Sequence, residues 1–231
     1  LDAGRYFLKK QKRSVGVSDS ELIKIAVRSL GLDELSPFDP AKRIIEYAIQ
    51  VPSKKKLVDL TVQGFVEETA SESPAPGGGS IAATMGAMGA ALATMVANLS
   101  SHKRGWDERW EEFSGWAEKG KFYHDKLIRL IDEDTDAFNQ LMDAFGLPKG
   151  TDEEKTARSA AIQAATKHAI EIPLEVMRTA LGSMEVIEVM AKEGNPNSVS
   201  DAGVGALAAR SAVMGAHLNV KINCGSIKDQ E

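Results

Sequence analysis

From Leu57 onward, apolar residues recur at intervals of three and four, the spacing of one face of an α-helix, and predict four or more long helices. Leu57 to Ala70 reads as an amphipathic helix, and Ser71 to Gly79 as a Pro/Gly loop. Ser80 is placed to cap the next helix, whose Gly86, Gly89, Ala90, Ala93 and Ala97 form a smooth face for close backbone approach. A third helix is expected from about Trp106 to Phe145, broken near Gly115 or Gly120. Thr151 and Glu154 form a capping box opening a long helix that Pro173 kinks and Gly194 ends. Ser200 is read as the cap of the last helix, which runs through Asn223.

The first fifty residues follow a different pattern. Ser18 with Glu21 is a capping box that opens a helix through Leu22, Ile23, Ala26 and Leu30, and Gly31 supplies its left-handed stop. After the turn residues Ser36, Pro37, Asp39 and Pro40, the run Ile44 to Ile49 is predicted as a β-strand. No other segment offers it a partner, so it reads as one strand of a severed sheet. Gln50 to Lys56, with Pro52 and Lys54, Lys55 and Lys56, reads as a linker. The expected organisation is a small α+β unit over 1–50, a linker over 51–56, and an all-α, multi-helix up-and-down bundle over 57–231.

Composition narrows the classes. The 231 residues can bury a sizeable core, and 43% hydrophobic with 26% charged residues exclude a disordered or fibrous chain. A lone cysteine, Cys224, forms no internal disulfide, which makes a cytoplasmic location the default expectation. The net charge of −5 argues against a nucleic-acid partner. Ile81 to Leu99 is uncharged over 19 residues, but its Ala, Gly, Thr and Met fit a buried bundle helix better than a membrane span. The start lacks both an initiator methionine and a signal sequence, so further residues are expected upstream of Leu1.

One carboxylate lies on the wrong face of its helix. With Asp134 at zero and about 100° per residue, Leu127 and Phe145 fall near about 20°, Leu130 about −40°, Phe138 about 40° and Leu141 about −20°. Asp134 therefore stands inside the apolar stripe, while Asp132 and Asp136 belong with Glu133 on the solvated face. Burial keeps a carboxyl protonated to higher pH, which suits a general acid near neutrality. A core aspartate satisfied by a neighbouring helix is the alternative.

Two further features suit a ligand. The loop Pro74-Ala-Pro76-Gly77-Gly78-Gly79-Ser80 leads into a helix amino terminus, where unpaired N–H groups favour an anion or polar group. It is neither a Walker A loop nor a dinucleotide fingerprint. In the last helix, Asp201, Ser211, Gly215 and Asn219 share a small, polar face with Val204, where Asp201 or Asn219 can hydrogen-bond the edge of a heterocycle. A flexible connector and a close helix crossing are the bland readings of these two segments. The four histidines lack metal-ligand spacing, so no metal site is assigned.

Three segments in order carry a family resemblance: Pro74 to Ser80 entering an Ala/Gly/Met helix, Leu130-Ile-Asp-Glu-Asp-Thr-Asp-Ala-Phe138, and Ser200-Asp201 leading to Leu218-Asn-Val-Lys-Ile-Asn223. Together they resemble the cyclodeaminase/cyclohydrolase family of folate enzymes. Upstream, Ala3-Gly-Arg-Tyr-Phe-Leu8 and Pro37 to Tyr47 resemble the carboxy-terminal end of the formimidoyltransferase domain. The resemblance implies a helical homodimer or larger assembly that converts 5-formimidoyltetrahydrofolate to 5,10-methenyltetrahydrofolate and ammonia in histidine breakdown. It implies no metal or redox cofactor, and a folate substrate with one or several glutamates. The family's essential aspartate lies in the segment matched by Asp132 to Phe138, with Asp132 and Asp134 the candidates and Asp134 the one chosen by helix phase. Folate binding falls to Pro76, Gly77, Gly78, Gly79 and Ser80, with Ser200, Asp201, Asn219 and Asn223.

Most of the transferase domain is missing, so formimidoyl transfer is not expected of this chain alone. Family members also continue beyond the position of Glu231 into another helix, which leads us to expect an uncovered apolar groove. Two rival functions remain open: a methenyltetrahydrofolate cyclohydrolase, which adds water instead of expelling ammonia, and a non-catalytic oligomerisation module.

Overall fold

A computed structural model describes residues 1–49 and 56–227, and among these all regular structure is helical. In chain order the α-helices are α1 (Asp2–Lys10), α2 (Asp19–Ser29), α3 (Pro40–Arg43), α4 (Ile45–Ala48), α5 (Val62–Thr69), α6 (Gly78–Ser101), α7 (Trp110–Gly146), α8 (Asp152–Glu193) and α9 (Val199–Cys224). The linker reading falls, apart from Lys56, outside the described residues.

Helices α6 to α9 form the bundle, each packed against the next, with α9 closing back on α6. Leu127, Leu130 and Ile131 of α7 and Ile172 and Val176 of α8 supply bulk to its core, while α6 and α9 contribute Ala82, Ala83, Ala87, Ala90, Ala212 and Ala216. Small residues serve close approach here: a Cβ on Gly89 would stand 2.8 Å from the carbonyl oxygen of Gly205, and one on Gly205 3.0 Å from that of Gly89. The two backbones touch at this crossing. That is why α6, the one helix among the described residues long and apolar enough to cross a membrane, is largely buried instead.

The N-terminal unit docks on this bundle. Leu8, Val15 and Leu22 make its own small core. The Val15 N–H donates to Ser114 Oγ at 3.0 Å, and Asn98 Nδ2 donates to the Gly16 carbonyl at 2.8 Å. Lys121, 8% exposed, bridges Asp19 of α2 at 2.9 Å and Asp125 of α7.

Several predicted boundaries hold. Ser18 caps α2, Gly31 has φ +66°, and Thr151 with Glu154 completes the capping box of α8. Others are corrected. The predicted strand Ile44 to Ile49 instead holds the short helix α4 over Ile45–Ala48, after α3, which starts on Pro40 under an Asp39 cap, and Ile45 and Ile49 are exposed. Without a strand to pair with, β-propensity has nothing to act on, and local hydrogen bonds prevail. The small α+β unit is therefore helical among its described residues. Leu57 to Ala70 divides into a 3₁₀ turn at Leu57–Asp59 and α5, which Thr61 caps. Helix α7 runs unbroken through Gly115 and Gly120, because packing outweighs the cost of about 1 kcal/mol per interior glycine.

Candidate active site

The Pro/Gly loop delivers α6 to the inward face of α7. Gly77 stands at the N-cap, and α6 begins at Gly78, so Ser80 is already inside the helix rather than its cap. This displacement has a physical cause. Ser80 is fully buried, and its Oγ donates to Asp134 Oδ2 at 2.8 Å instead of closing its own helix end. Thr135 Oγ1 lies 3.4 Å from the same hydroxyl. At Gly79, a Cβ would come within 2.1 Å of Asp134 Oδ1, so only glycine lets the carboxylate sit against the backbone.

Burial pushes the Asp134 carboxyl above the ordinary carboxylate range, and hydrogen bonds from the Ser80 hydroxyl and amide oppose that rise. The carboxyl faces a cavity of about 250 Å³ lined by Gly77, Gly78, Gly79, Thr135, Phe138, Leu141, Asn219 and Asn223 among others. Asn219 closes it from α9: its Nδ2 donates to the Gly215 carbonyl at 3.0 Å, and its amide abuts Gly78. Asn223 Nδ2 donates to the Ala169 carbonyl at 2.9 Å. Each amide thus spends one donor on a backbone carbonyl and keeps acceptor capacity for a ligand. The result is a narrow slot with a backbone wall, an aromatic side and a carboxyl of raised pKa, suited to a flat heterocycle undergoing proton transfer.

The structure brings together Gly77, Gly78, Gly79, Ser80, Asp134, Asn219 and Asn223. Pro76 is buried behind the loop, on a cis peptide bond, and does not line the cavity. Asp132 points elsewhere. Its Oδ1 accepts from the Leu57 N–H at 2.7 Å, so it anchors the Leu57–Asp59 turn and is half-buried instead of fully solvated as its helix phase implied. Ser200 and Asp201 lie in the first turn of α9, and Ser198, not Ser200, occupies the N-cap. Eighteen residues of helix put Asp201 about 27 Å along the axis from Asn219, outside this cavity. The shared polar face expected of α9 is likewise divided, since Val204 is exposed and only the C-terminal asparagines reach the slot. Thr135 and Phe138 also line the cavity, and the sequence offers only one signal for them, that Phe138 shares the stripe of Asp134.

Comparison with known proteins bears on this arrangement. Residues 61–231 match the family model described as formiminotransferase-cyclodeaminase. The chain belongs to the formiminotransferase-cyclodeaminase family. Residues 1–50 match the model of the formiminotransferase domain. Among relatives of this family, the formimidoyltransferase-cyclodeaminase of Gallus gallus is 38% identical over the whole chain, and that of Mus musculus 36% over 99% of it. The chain spans 43% and 42% of the length of these two relatives. The methenyltetrahydrofolate cyclohydrolase of Methylorubrum extorquens is 42% identical over 74% of this chain and 82% of its own length. The crystal structure of formiminotetrahydrofolate cyclodeaminase from Thermotoga maritima superposes with a TM-score of 0.65 at 31% identity, covering 74% of this chain and 81% of that one.

Proposed function

We propose that this chain is a formimidoyltetrahydrofolate cyclodeaminase, converting 5-formimidoyltetrahydrofolate to 5,10-methenyltetrahydrofolate with release of ammonia. The observation that carries this reading is the carboxyl of Asp134, raised in pKa and held by Ser80 at the wall of a cavity of about 250 Å³. N10 of the folate attacks the formimidoyl carbon and closes a five-membered ring. The formimidoyl group enters protonated, as the amidinium; the N10 proton must then reach its exocyclic nitrogen, which leaves as ammonia when the C–N bond breaks, so that the positive charge stays on the methenyl product. One group near both nitrogens can perform both transfers, and a carboxyl titrating closer to neutrality than usual gives and takes a proton most readily. The step moves a proton and no electrons, so it calls on no redox cofactor. Asn219 and Asn223 would orient the ring, a contribution of position rather than bond chemistry.

A second reading is methenyltetrahydrofolate cyclohydrolase, favoured by the 42% identity to the Methylorubrum extorquens enzyme. The same slot and carboxyl serve it, with water as nucleophile. The match of residues 1–50 to the formiminotransferase domain favours the first reading. We place the chain in folate one-carbon metabolism and histidine breakdown, in the cytoplasm, as a homo-oligomer. The last point rests on α9, where exposed Val204, Leu207, Met214 and Leu218 fall on a and d positions of a heptad, the pattern of a helix seam awaiting a second copy.

The test is the ultraviolet absorbance of the methenyl product when purified protein meets 5-formimidoyltetrahydrofolate, with Asp134→Asn alongside. Growth of the signal in wild type and its loss in the variant support the reading. Absence of growth from a folded wild type, together with hydrolysis of methenyltetrahydrofolate, selects the cyclohydrolase.

A further inference from the structure

Next to the Asp134 slot lies a larger cavity of about 600 Å³, and Leu141 and Asn223 line both. Its wall differs in charge from the rest of the molecule. Although the chain carries a net charge of −5, Lys149, Lys155 and Arg158 line this cavity, and among the described residues no carboxylate does. Lys155 is paired with Asp152 at 2.8 Å. Neither Lys149 nor Arg158 has a carboxylate within ion-pair distance among the described residues. Arg158 is held in place from the other side: its Nε and Nη2 donate to the Phe145 carbonyl at 3.3 and 3.0 Å. Two of its five N–H donors are thereby used, and three remain.

We propose that this cavity holds the glutamyl end of the folate substrate, with Lys149 and Arg158 pairing with its carboxylates. The inference rests on the folate reading of the adjoining slot and adds what that slot lacks, a counter-charge. Asp134, Leu141 and Phe145 share one face of α7, and the eleven residues from Asp134 to Phe145 span about 16 Å of helix. With a ring in the slot and N10 at Asp134, ordinary bond lengths carry the first glutamate about 10 Å past N10. That passes Leu141 and enters the cationic cavity, where the flexible stems of Lys149 and Arg158 cover the rest. Guanidinium suits this task because its planar fork meets a carboxylate with two parallel hydrogen bonds.

The experiment compares binding of 5-formyltetrahydrofolate with that of 5-formyltetrahydropterin, which lacks the p-aminobenzoylglutamate, by titration calorimetry on wild type, Lys149→Gln and Arg158→Gln. We expect each substitution to weaken binding of the glutamylated ligand about tenfold and to flatten its salt dependence, while the affinity for the tail-free pterin is the same in all three proteins. Lys149 is exposed in the loop after α7, so its variant tests the idea without threatening the fold. Unchanged affinity for the glutamylated ligand in both variants, with wild type active on 5-formimidoyltetrahydrofolate, overturns the inference and leaves the folate reading standing. Equal losses for both ligands also overturn it, since the residues would then act on the ring site. Failure of wild type to bind either ligand removes the folate reading and this inference together.

Discussion

Gly79 and Asp134 are matched by subtraction: the hydrogen in place of a side chain at Gly79 clears the 2.1 Å at which a methyl group would meet Asp134 Oδ1. Gly79→Ala therefore sets two effects against each other. Alanine favours a helix over glycine by about 1 kcal/mol, but here it would drive the carboxyl off the Ser80 hydroxyl. We expect a fall in kcat of at least about a hundredfold, on the scale seen when catalytic groups are misplaced by an ångström. Steady-state kinetics check it, with circular dichroism establishing that α6 still forms.

Ser80 should govern the pH at which Asp134 works. Its hydrogen bonds lower a carboxyl that burial has raised, so Ser80→Ala removes the lowering influence and the pKa moves further up. The acid limb of the kcat profile shifts to higher pH in that variant. Loss of a hydrogen bond to a charged group corresponds to a decrease of roughly tenfold near neutrality, partly recovered under alkaline conditions. A pH–rate profile with an unmoved acid limb would refute this coupling.

Asp134 also bears on stability. In the unfolded chain its carboxyl ionises near about 3.9, whereas in the fold it keeps its proton to higher pH. Between those two values the native state binds more protons than the unfolded one, so stability falls as pH rises. The penalty is absent below the unfolded value and complete above the folded one. Asp134→Asn, which retains an acceptor for Ser80, should therefore melt a few degrees above wild type at neutral pH, with the gap closing in acid. Thermal melts across that range decide it.

Asp132 provides the contrast. Asp132→Ala removes the acceptor of the Leu57 N–H and should destabilise the protein by about 1 kcal/mol, while turnover per folded molecule stays within about twofold of wild type. Loss of turnover comparable to that of Asp134→Asn would return Asp132 to the chemistry.

The two aspartates also show what could be read from the chain. Helix periodicity alone separated them, because α7 is long and regular enough for a 100° step to stay in phase across the bundle. The local chemistry of Ser80 fits a cap, and only the arrival of Asp134, 54 positions along the chain, draws its hydroxyl inward. Ser200 and Asp201 share a helix with Asn219, and Asp201 its helical phase as well, but they stand at its opposite end, and a shared face does not bring them to the slot. Ile44 to Ile49 had strand-forming residues but no strand beside it. Lys149 and Arg158 gave no signal at all: one sits in a loop, the other on α8, and the cavity that joins them exists only once α7 and α8 are packed.

The contact of Gly89 with Gly205 has a mechanical consequence. It lies eleven residues, about 16 Å, from Gly78, where α6 meets Asn219 of α9. From there to the slot the two helices stay packed, Gly86 beside Ala212 and Ala82 beside Gly215, so a displacement at the crossing is carried along the pair. Any side chain added at Gly89 or Gly205 would wedge the backbones apart there and change the width of the slot at the far end, so the reach between Asp134 and a bound ring is set in part by two residues that never meet it.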